Sequence, residues 1–575
     1  MRKPQEKKWD VCPRIPEDIN TQLIEYHPIL RQVLLNRGIT DVQNADMFLN
    51  AEKILHDPFL MKDMDIAVEK IDRAILDNKK IVVFGDYDAD GVTATALLVQ
   101  VLERMGANAG KYIPNRFDEG YGFSMDALEE VLKEKPNLLI TVDCGVRSVE
   151  EVAKANQHGI EMIITDHHQP HDDQTPNAAA VVCPKQPGDE YPYKSLAGVG
   201  IAYKLAQAFQ ITHPGMNLDL HTYLDLVAIG TVADLAPLTE ENRILVRKGI
   251  DCIRKGNRVG ISALLKASSI NNQDSFNARD IAFMIGPRLN AAGRLSTAET
   301  AYQLLMTQEQ AEADYLAGLL DRENQERQKT TKDIFQRVEE YFQDRDEEWL
   351  LFFADKDFNE GVVGLAASRL AERYYRPAII GAIKGDTIRA SCRSISELNI
   401  TRALDRCADL LIKHGGHAMA AGLSMEKEKA GLFSERLSKV IQEQLVGMDL
   451  GPTMKAEMEV GLSQLNPTLI HFLDSLEPCG EGNPIPLFIS RNVEVVRIKT
   501  MGKENDHIRM DVRSSIDDKN QQRITFSGVG FYFGWMAPKL KSGDHIDIIY
   551  SFGFNEYNGR KNPQLTIRDI KAVDN

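Results

Sequence analysis

Cysteine is scarce in this 575-residue sequence: seven residues between Cys12 and Cys479, an odd number, with no CxxC pair. That spacing argues against a disulfide framework and against a structural thiolate zinc site, and predicts reduced thiols. No run of 18 apolar residues occurs, and the start, MRKPQEKKWDVCPRIPED, lacks the apolar stretch of a secretory leader. These absences predict a cytoplasmic chain without membrane association. Positive charge is short too: a net charge of −16 speaks against wholesale binding of a polyanion. The deficit is uneven, because residues 491–575 carry 14 Lys+Arg against 11 Asp+Glu, a mildly basic tail behind an acidic body. Internal repeats and low-complexity segments are also missing.

What is present is organised in blocks. The length calls for two to four domains. From 81 to 165 short apolar runs, IVVF, LLITV and IEMIIT, alternate with helix-length stretches, the pattern of βαβ units around a parallel sheet whose ligands bind beyond the carboxyl ends of the strands. Residues 303–346 hold one glycine, no proline and dense charge, which predicts a long, exposed connecting helix. A second, smaller α/β pattern follows and includes the glycine-rich HGGHAMAAG at 414–422; beyond 455, five or so alternating runs predict short strands closing a small β-barrel. The expected order is an N-terminal extension (1–50), a parallel-sheet α/β domain (51–302), a connecting helix (303–346), a smaller α/β domain (347–454) and an OB-type barrel (455–575).

Acidic residues collect where strands of the first domain should end. IVVF runs into GDYDADG with Asp86, Asp88 and Asp90; LLITV ends at Asp143; IEMIIT ends at Asp166, His167 and His168; Asp234 follows another apolar stretch in IGTVADLAPL. Carboxylates brought that close cannot all ionise without positive charge among them, and no Lys or Arg is interleaved in these motifs. A pair of divalent cations resolves the conflict. Carboxylates with some imidazole suit Mn²⁺ better than Mg²⁺, and the missing thiolates argue against zinc. Two such ions about 3.5–4 Å apart are a common device for phosphoester hydrolysis. Taken singly, a D-x-D after a strand is more simply a turn or a helix cap.

With these residues in view, DYDADG (86–91), TVDCG (141–145), TDHH (165–168) and GTVAD (230–234) resemble the four motifs of the DHH phosphoesterase superfamily, and GGHAMAAG (415–422) resembles the signature of its DHHA1 domain. PNRFDEGYG (114–122), SLAGVG (195–200), GPRLNAAGR (286–294), EGVVGLAASR (360–369) and LEPCGEGNPIPLF (476–488) narrow the resemblance to the bacterial RecJ exonuclease family. The resemblance implies a single-strand-specific 5′ to 3′ exonuclease of recombination and repair that uses two Mn²⁺ or Mg²⁺ ions. It implies metal ligands at Asp86, Asp88, Asp143, His167 and Asp234, with His168 at the scissile phosphate and Asp166 orienting the histidines; Asp90 would only shape its loop.

The resemblance also implies substrate contacts at Arg116, Tyr121, Arg288, Asn290, Ser391, Arg393, Gly415, Gly416 and His417. A single strand with a 5′ end would be the substrate, single-strand-binding protein and a helicase the partners, and the chain a monomer. In the tail barrel, Phe531, Tyr532, Phe533, Trp535, Tyr550, Phe552 and Tyr557 offer aromatics of which alternation buries about half. Departures from the family pattern are Phe84, where some members have a metal-binding His, Asn359 in place of a frequent His, and Cys392 in place of Gly. A further C-terminal domain of longer relatives is expected to be missing. Two other readings stay open: a nanoRNA-degrading DHH phosphodiesterase, which lacks counterparts of residues 476–575, and a non-catalytic replication scaffold, in which ligands are lost.

Overall fold

In the computed structural model, which describes residues 6–50, 55–115, 119, 122–171, 174–216, 218–343, 348–514, 524–557 and 560–573, five parallel strands form the first sheet. They are β1 (Lys80–Gly85), β2 (Asn108–Tyr112), β3 (Leu138–Val142), β4 (Glu161–Thr165) and β5 (Ala180–Val182), in the order β2-β1-β3-β4-β5. Side chains alternate between two buried faces. Ile81, Val83, Ile140 and Ile163 pack under α1 (Ala89–Arg104), α2 (Gly198–Thr212) and α3 (Leu224–Ala233), while Val82, Phe84, Leu139 and Ile164 pack under helices Met125–Lys133 and Val149–Gln157. Burial on both faces explains why these strands read as unbroken apolar runs. β2, NAGKY, is an edge strand that among the described residues pairs with β1 alone, so it needs no such run.

Register sets the level at which each strand ends. Gly85 pairs with Val142, Val142 with Thr165, and Thr165 with Val182. The next residues, Asp86, Asp143 and Asp166, therefore leave the sheet at one level, on the rim where ligands bind in such sheets.

The chain divides into two compact units, one holding this sheet and the C-terminal barrel, the other the stretch Arg322–Met454. The predicted connecting helix is interrupted: one helix closes at Met306, Thr307 accepts the N–H of Glu309 through its hydroxyl, and a 33-residue helix runs from Gln310 to Phe342. Nor is it exposed throughout, since Ala313, Leu316, Ala317 and Leu320 join the first core and Ile334 and Val338 join a core of the second unit.

The second unit is built on β6 (Leu351–Asp355), β7 (Ala378–Lys384), β8 (Thr387–Arg393), β9 (Lys413–Gly416) and β10 (Ala420–Glu426), ordered β9-β10-β8-β7-β6. The barrel closes through β12 (Phe488–Met501), β13 (His507–Arg513), β14 (Thr525–Gly530), β15 (His545–Tyr557) and β16 (Arg560–Ala572), with the two-residue β11 (Met458–Glu459) alongside β12. Three of these strands run 13 or 14 residues rather than the short lengths expected, because bulges at Val495/Arg497, Ser490/Val493 and Ile549/Tyr550 let long strands bend around the barrel. Leu23, Ile29, Val33 and Leu34 of the N-terminal extension pack into the barrel's core. Among the described residues no helix is long and apolar enough to cross a membrane.

Candidate metal centre

The loops leaving β1, β3 and β4, with the end of α3, bring the acids together. Potential ligand atoms of Asp86, Asp88 and Asp143, of Asp143, His167 and His168, and of Asp90, His167 and Asp234 lie within 4.8 Å of one another in each group. Asp88 caps α1, its Oδ1 accepting from the N–H groups of Asp90 and Gly91 at 3.0 and 3.1 Å. Asp143 stands in left-handed backbone at φ 62°, as does Leu235 directly after Asp234 at φ 60°. Such conformations persist where the surroundings over-determine them, and they gather at functional sites.

Asp166 is used differently. Its Oδ1 accepts from the N–H of His167 (2.7 Å), the N–H of His168 (3.0 Å) and His168 Nδ1 (2.8 Å), and its Oδ2 from the N–H of Val146 (2.9 Å). Burial alone would raise its pKa, yet the His168 bond and the nearby donors bring it down to about 2. A carboxylate so saturated orients the His-His loop and leaves little lone-pair capacity for a cation.

Asp90 is likewise engaged. Its Oδ2 and Oδ1 accept from Gly198 N–H (2.7 Å) and Val199 N–H (2.8 Å), so it holds the first turn of α2. Sequence reading gave it only a local role; its reach to α2 could be suspected from the glycine pair in SLAGVG. Glycines make this packing feasible. A Cβ at Gly198 would lie 2.7 Å from Asp143 Oδ1, one at Gly230 would lie 2.8 Å from Asp90 Oδ1, and one at Gly293 would lie 2.8 Å from the Tyr87 carbonyl. These glycines sit in α2, α3 and α4 (Gly286–Leu295), three helices that close on the acidic loops.

The electrostatics call for a cation. Burial first, then the charges of Asp90 and Asp88, push Asp143 far above the usual carboxylate range; burial, then Asp234 and Asp88, does the same to Asp90. Burial and Asp88 raise Asp234 to about 7. His167 is neutral: burial and then His168 lower it to about 3. Its Nε2 and the Asp143 Oδ1 stand 3.0 Å apart, both buried and neither hydrogen-bonded. A separation of about 3 Å is the spacing of adjacent ligand atoms around an ion with bonds of about 2.1 Å. The donor set fits a divalent cation.

Of the other expected site residues, Asn290 accepts the Ala89 N–H through Oδ1 (2.8 Å), so it braces the first turn of α1. Arg288 is nearly buried, donating to Asp321 Oδ1 from Nε (3.0 Å) and Nη2 (2.8 Å) and to the Met284 carbonyl from Nη1 (2.7 Å). In the second unit, Ser391, Gly422 and Gly415 line up across β8, β10 and β9. Arg393 lies two residues along, its Nη1 donating to Ser391 Oγ (3.1 Å) and its Nε to Ser368 Oγ (2.9 Å). Gly416 adopts φ 152°, where a Cβ would meet the Ala420 carbonyl at 2.3 Å, and His417 N–H closes the turn onto that carbonyl at 2.8 Å. Ser391, Arg393, Gly415, Gly416 and His417 thus share one strip of one sheet. Arg116 and Tyr121 lie outside the described residues.

Known proteins share the chain's domains. Family models match residues 80–231 (DHH family, N-terminal domain), 346–443 (DHHA1 domain) and 456–569 (RecJ OB domain). The single-stranded-DNA-specific exonuclease RecJ of Bacillus subtilis strain 168 is 36% identical over 558 residues, covering 96% of this chain and 69% of its own. The protein of that name from Salmonella typhimurium strain LT2 is 34% identical over 99% of both chains. This chain belongs to the RecJ family of single-stranded-DNA-specific exonucleases. A crystal structure of RecJ in complex with Mn²⁺ from Thermus thermophilus superposes with a TM-score of 0.83 at 29% identity, covering 99% of this chain and 80% of that one.

As a RecJ-family chain, it answers two of the open readings. The RecJ OB match occupies the segment that smaller DHH phosphodiesterases lack, and the carboxylates and imidazoles that a non-catalytic scaffold would have lost are all in place. Its departures are absorbed by packing. Phe84 packs in the core, stacking on Tyr112 at 5.6 Å and against Phe123 at 5.0 Å. Asn359 caps the helix Glu360–Tyr374 through the N–H of Gly361, and Cys392 is buried in the second unit's core. In the barrel Tyr550 and Phe552 are core, whereas Phe531, Tyr532 and Trp535 are exposed, with Lys539 Nζ 4.4 Å over the Trp535 ring.

Proposed function

We propose that this chain hydrolyses single-stranded DNA from its 5′ end to 5′ mononucleotides, with two Mn²⁺ or Mg²⁺ ions held by Asp86, Asp88, Asp143, His167 and Asp234. The observation that carries the reading is the buried Asp143 Oδ1 and His167 Nε2 pair, two potential ligand atoms 3.0 Å apart, neither with a hydrogen-bond partner. Two divalent cations bound there supply neutralising charge and a water activated at neutral pH. Asp166 holds the His168 ring in place for contact with the scissile phosphate, while Asp90 and Asn290 fix the loops that carry the ligands.

End recognition falls to the strip of the second unit. Arg393 and Ser391 offer donors beside the backbone of Gly415, Gly416 and His417, the chemistry of a terminal-phosphate site. Arg288, Arg116 and Tyr121 complete the substrate contacts in this reading. We place the enzyme in the cytoplasm as a monomer, with single-strand-binding protein and a helicase presenting its substrate. The test is a single-stranded oligonucleotide labelled separately at each end and digested with Mn²⁺ or with EDTA. Release of 5′-labelled mononucleotide first, only with metal, is expected. Release of the 3′ label first overturns the polarity, and preference for short RNA over DNA returns the nanoRNA reading.

A further inference from the structure

The register that levels the acids also brings a cation to their rim. β4 and β5 end together at Thr165 and Val182, so Lys185 lies as far beyond β5 as His168 lies beyond β4. The two loops touch: Cys183 Sγ donates to the His168 carbonyl at 3.5 Å. The base of Lys185 is fixed, because Gln186 N–H closes a turn onto the Cys183 carbonyl at 3.0 Å and the buried Gln186 side chain donates to the Val181 carbonyl. Lys185 is itself half-buried. Its charge reaches the site, being among those that lower both His167 and Asp234. Yet no described residue accepts a hydrogen bond from its ammonium or pairs with it.

That combination is hard to explain as fold stabilisation. A half-buried ammonium near so many carboxylates would be expected to pair with one of them, and a cation there opposes the binding of divalent ions rather than assisting it. Its charge has a use if an anion enters between the ions and the loop. We propose that Lys185 is a catalytic residue, its Nζ contacting a non-bridging oxygen of the phosphate being hydrolysed and stabilising the charge that develops there. The proposal rests on the exonuclease reading above. An ammonium suits this position because it acts as a compact point charge that follows the oxygen as the phosphorus geometry changes.

The test compares full-length wild type, Lys185→Met and Lys185→Arg for kcat and KM on a 5′-phosphorylated single-stranded oligonucleotide. Mn²⁺ affinity is measured by calorimetry without DNA, and thermal unfolding in EDTA. Loss of a preorganised donor at developing negative charge lowers kcat by about 10²-fold. The expectation for Lys185→Met is that fall, with Mn²⁺ bound as tightly as in wild type or more tightly and unfolding unchanged, and with Arg recovering part of kcat. A kcat within twofold of wild type overturns the proposal. So does a raised KM at unchanged kcat, or a loss of activity that tracks a loss of Mn²⁺ affinity or of stability in both variants. Wild type that neither binds Mn²⁺ nor digests the strand would sink the exonuclease reading; active wild type with an equally active Lys185→Met sinks only the role of Lys185.

Discussion

Replacing Gly198 with alanine tests how tightly the helix is set against a metal ligand. The added methyl would lie 2.6 Å from Asp143 Cβ and 2.7 Å from its Oδ1, so reaching the 3.4 Å of ordinary contact requires a shift of up to 0.8 Å. α2 cannot easily supply it, because the N–H groups of Gly198 and Val199 are bonded to Asp90 and the helix is buried along most of its length. The carboxylate must therefore move, by more than the roughly 0.2 Å that metal–ligand distances tolerate. Overpacking costs the fold about 1–3 kcal/mol, and displacing a ligand's support lowers metal affinity roughly 10–100-fold. Titration of the full-length protein with Mn²⁺ by calorimetry, with thermal unfolding in EDTA alongside, separates the two effects. Gly200→Ala in the same helix is the control, since its methyl would meet the rotatable Leu196 Cδ2 at 3.3 Å. Wild-type Mn²⁺ affinity in Gly198→Ala would refute the reasoning.

Two further outcomes rest on the same geometry. Asp143 and Asp234 have folded-state pKa values raised above the unfolded ones, Asp234 to about 7, so the folded state binds the extra protons and metal-free stability should rise as pH falls from 8 towards 6. Thermal unfolding in EDTA checks this; saturating Mn²⁺ should remove the trend, and a metal-free stability that falls over that range contradicts it. In the barrel, exposed Trp535 sits with Lys539 over its ring. Trp535→Ala should weaken binding of a 15-nucleotide single strand by about 1–3 kcal/mol, measured by fluorescence anisotropy, and leave turnover of a dinucleotide unchanged.

The acids were legible in the sequence because doubly buried strands announce themselves as apolar runs, and Asp86, Asp143 and Asp166 each stand at the end of one. That they share a level depends on strand register, which no single run encodes. β2 went unread because an edge strand needs no continuous apolar pattern, and the helix expected over 303–346 was drawn too long because Thr307 stops it with a side-chain bond. The role of Asp90 and the bracing of Ala89 by Asn290 were hidden for another reason: both act over more than 100 residues of chain, on backbone N–H groups that leave no signature in the sequence. Close-approach glycines are visible as letters, but only packing shows that Gly198 leaves room for a carboxylate.

The most direct test of the central claim is to count and pair the metal ions. Metal-free wild type titrated with Mn²⁺ and followed by electron paramagnetic resonance should bind two ions per chain whose spins couple, as ions held in one cluster of carboxylates and imidazoles would. Asp143→Asn with His167→Ala should abolish the coupled signal together with hydrolysis while single-strand binding persists. A single uncoupled ion in wild type, or metal-dependent hydrolysis surviving in the double variant, would contradict the binuclear site.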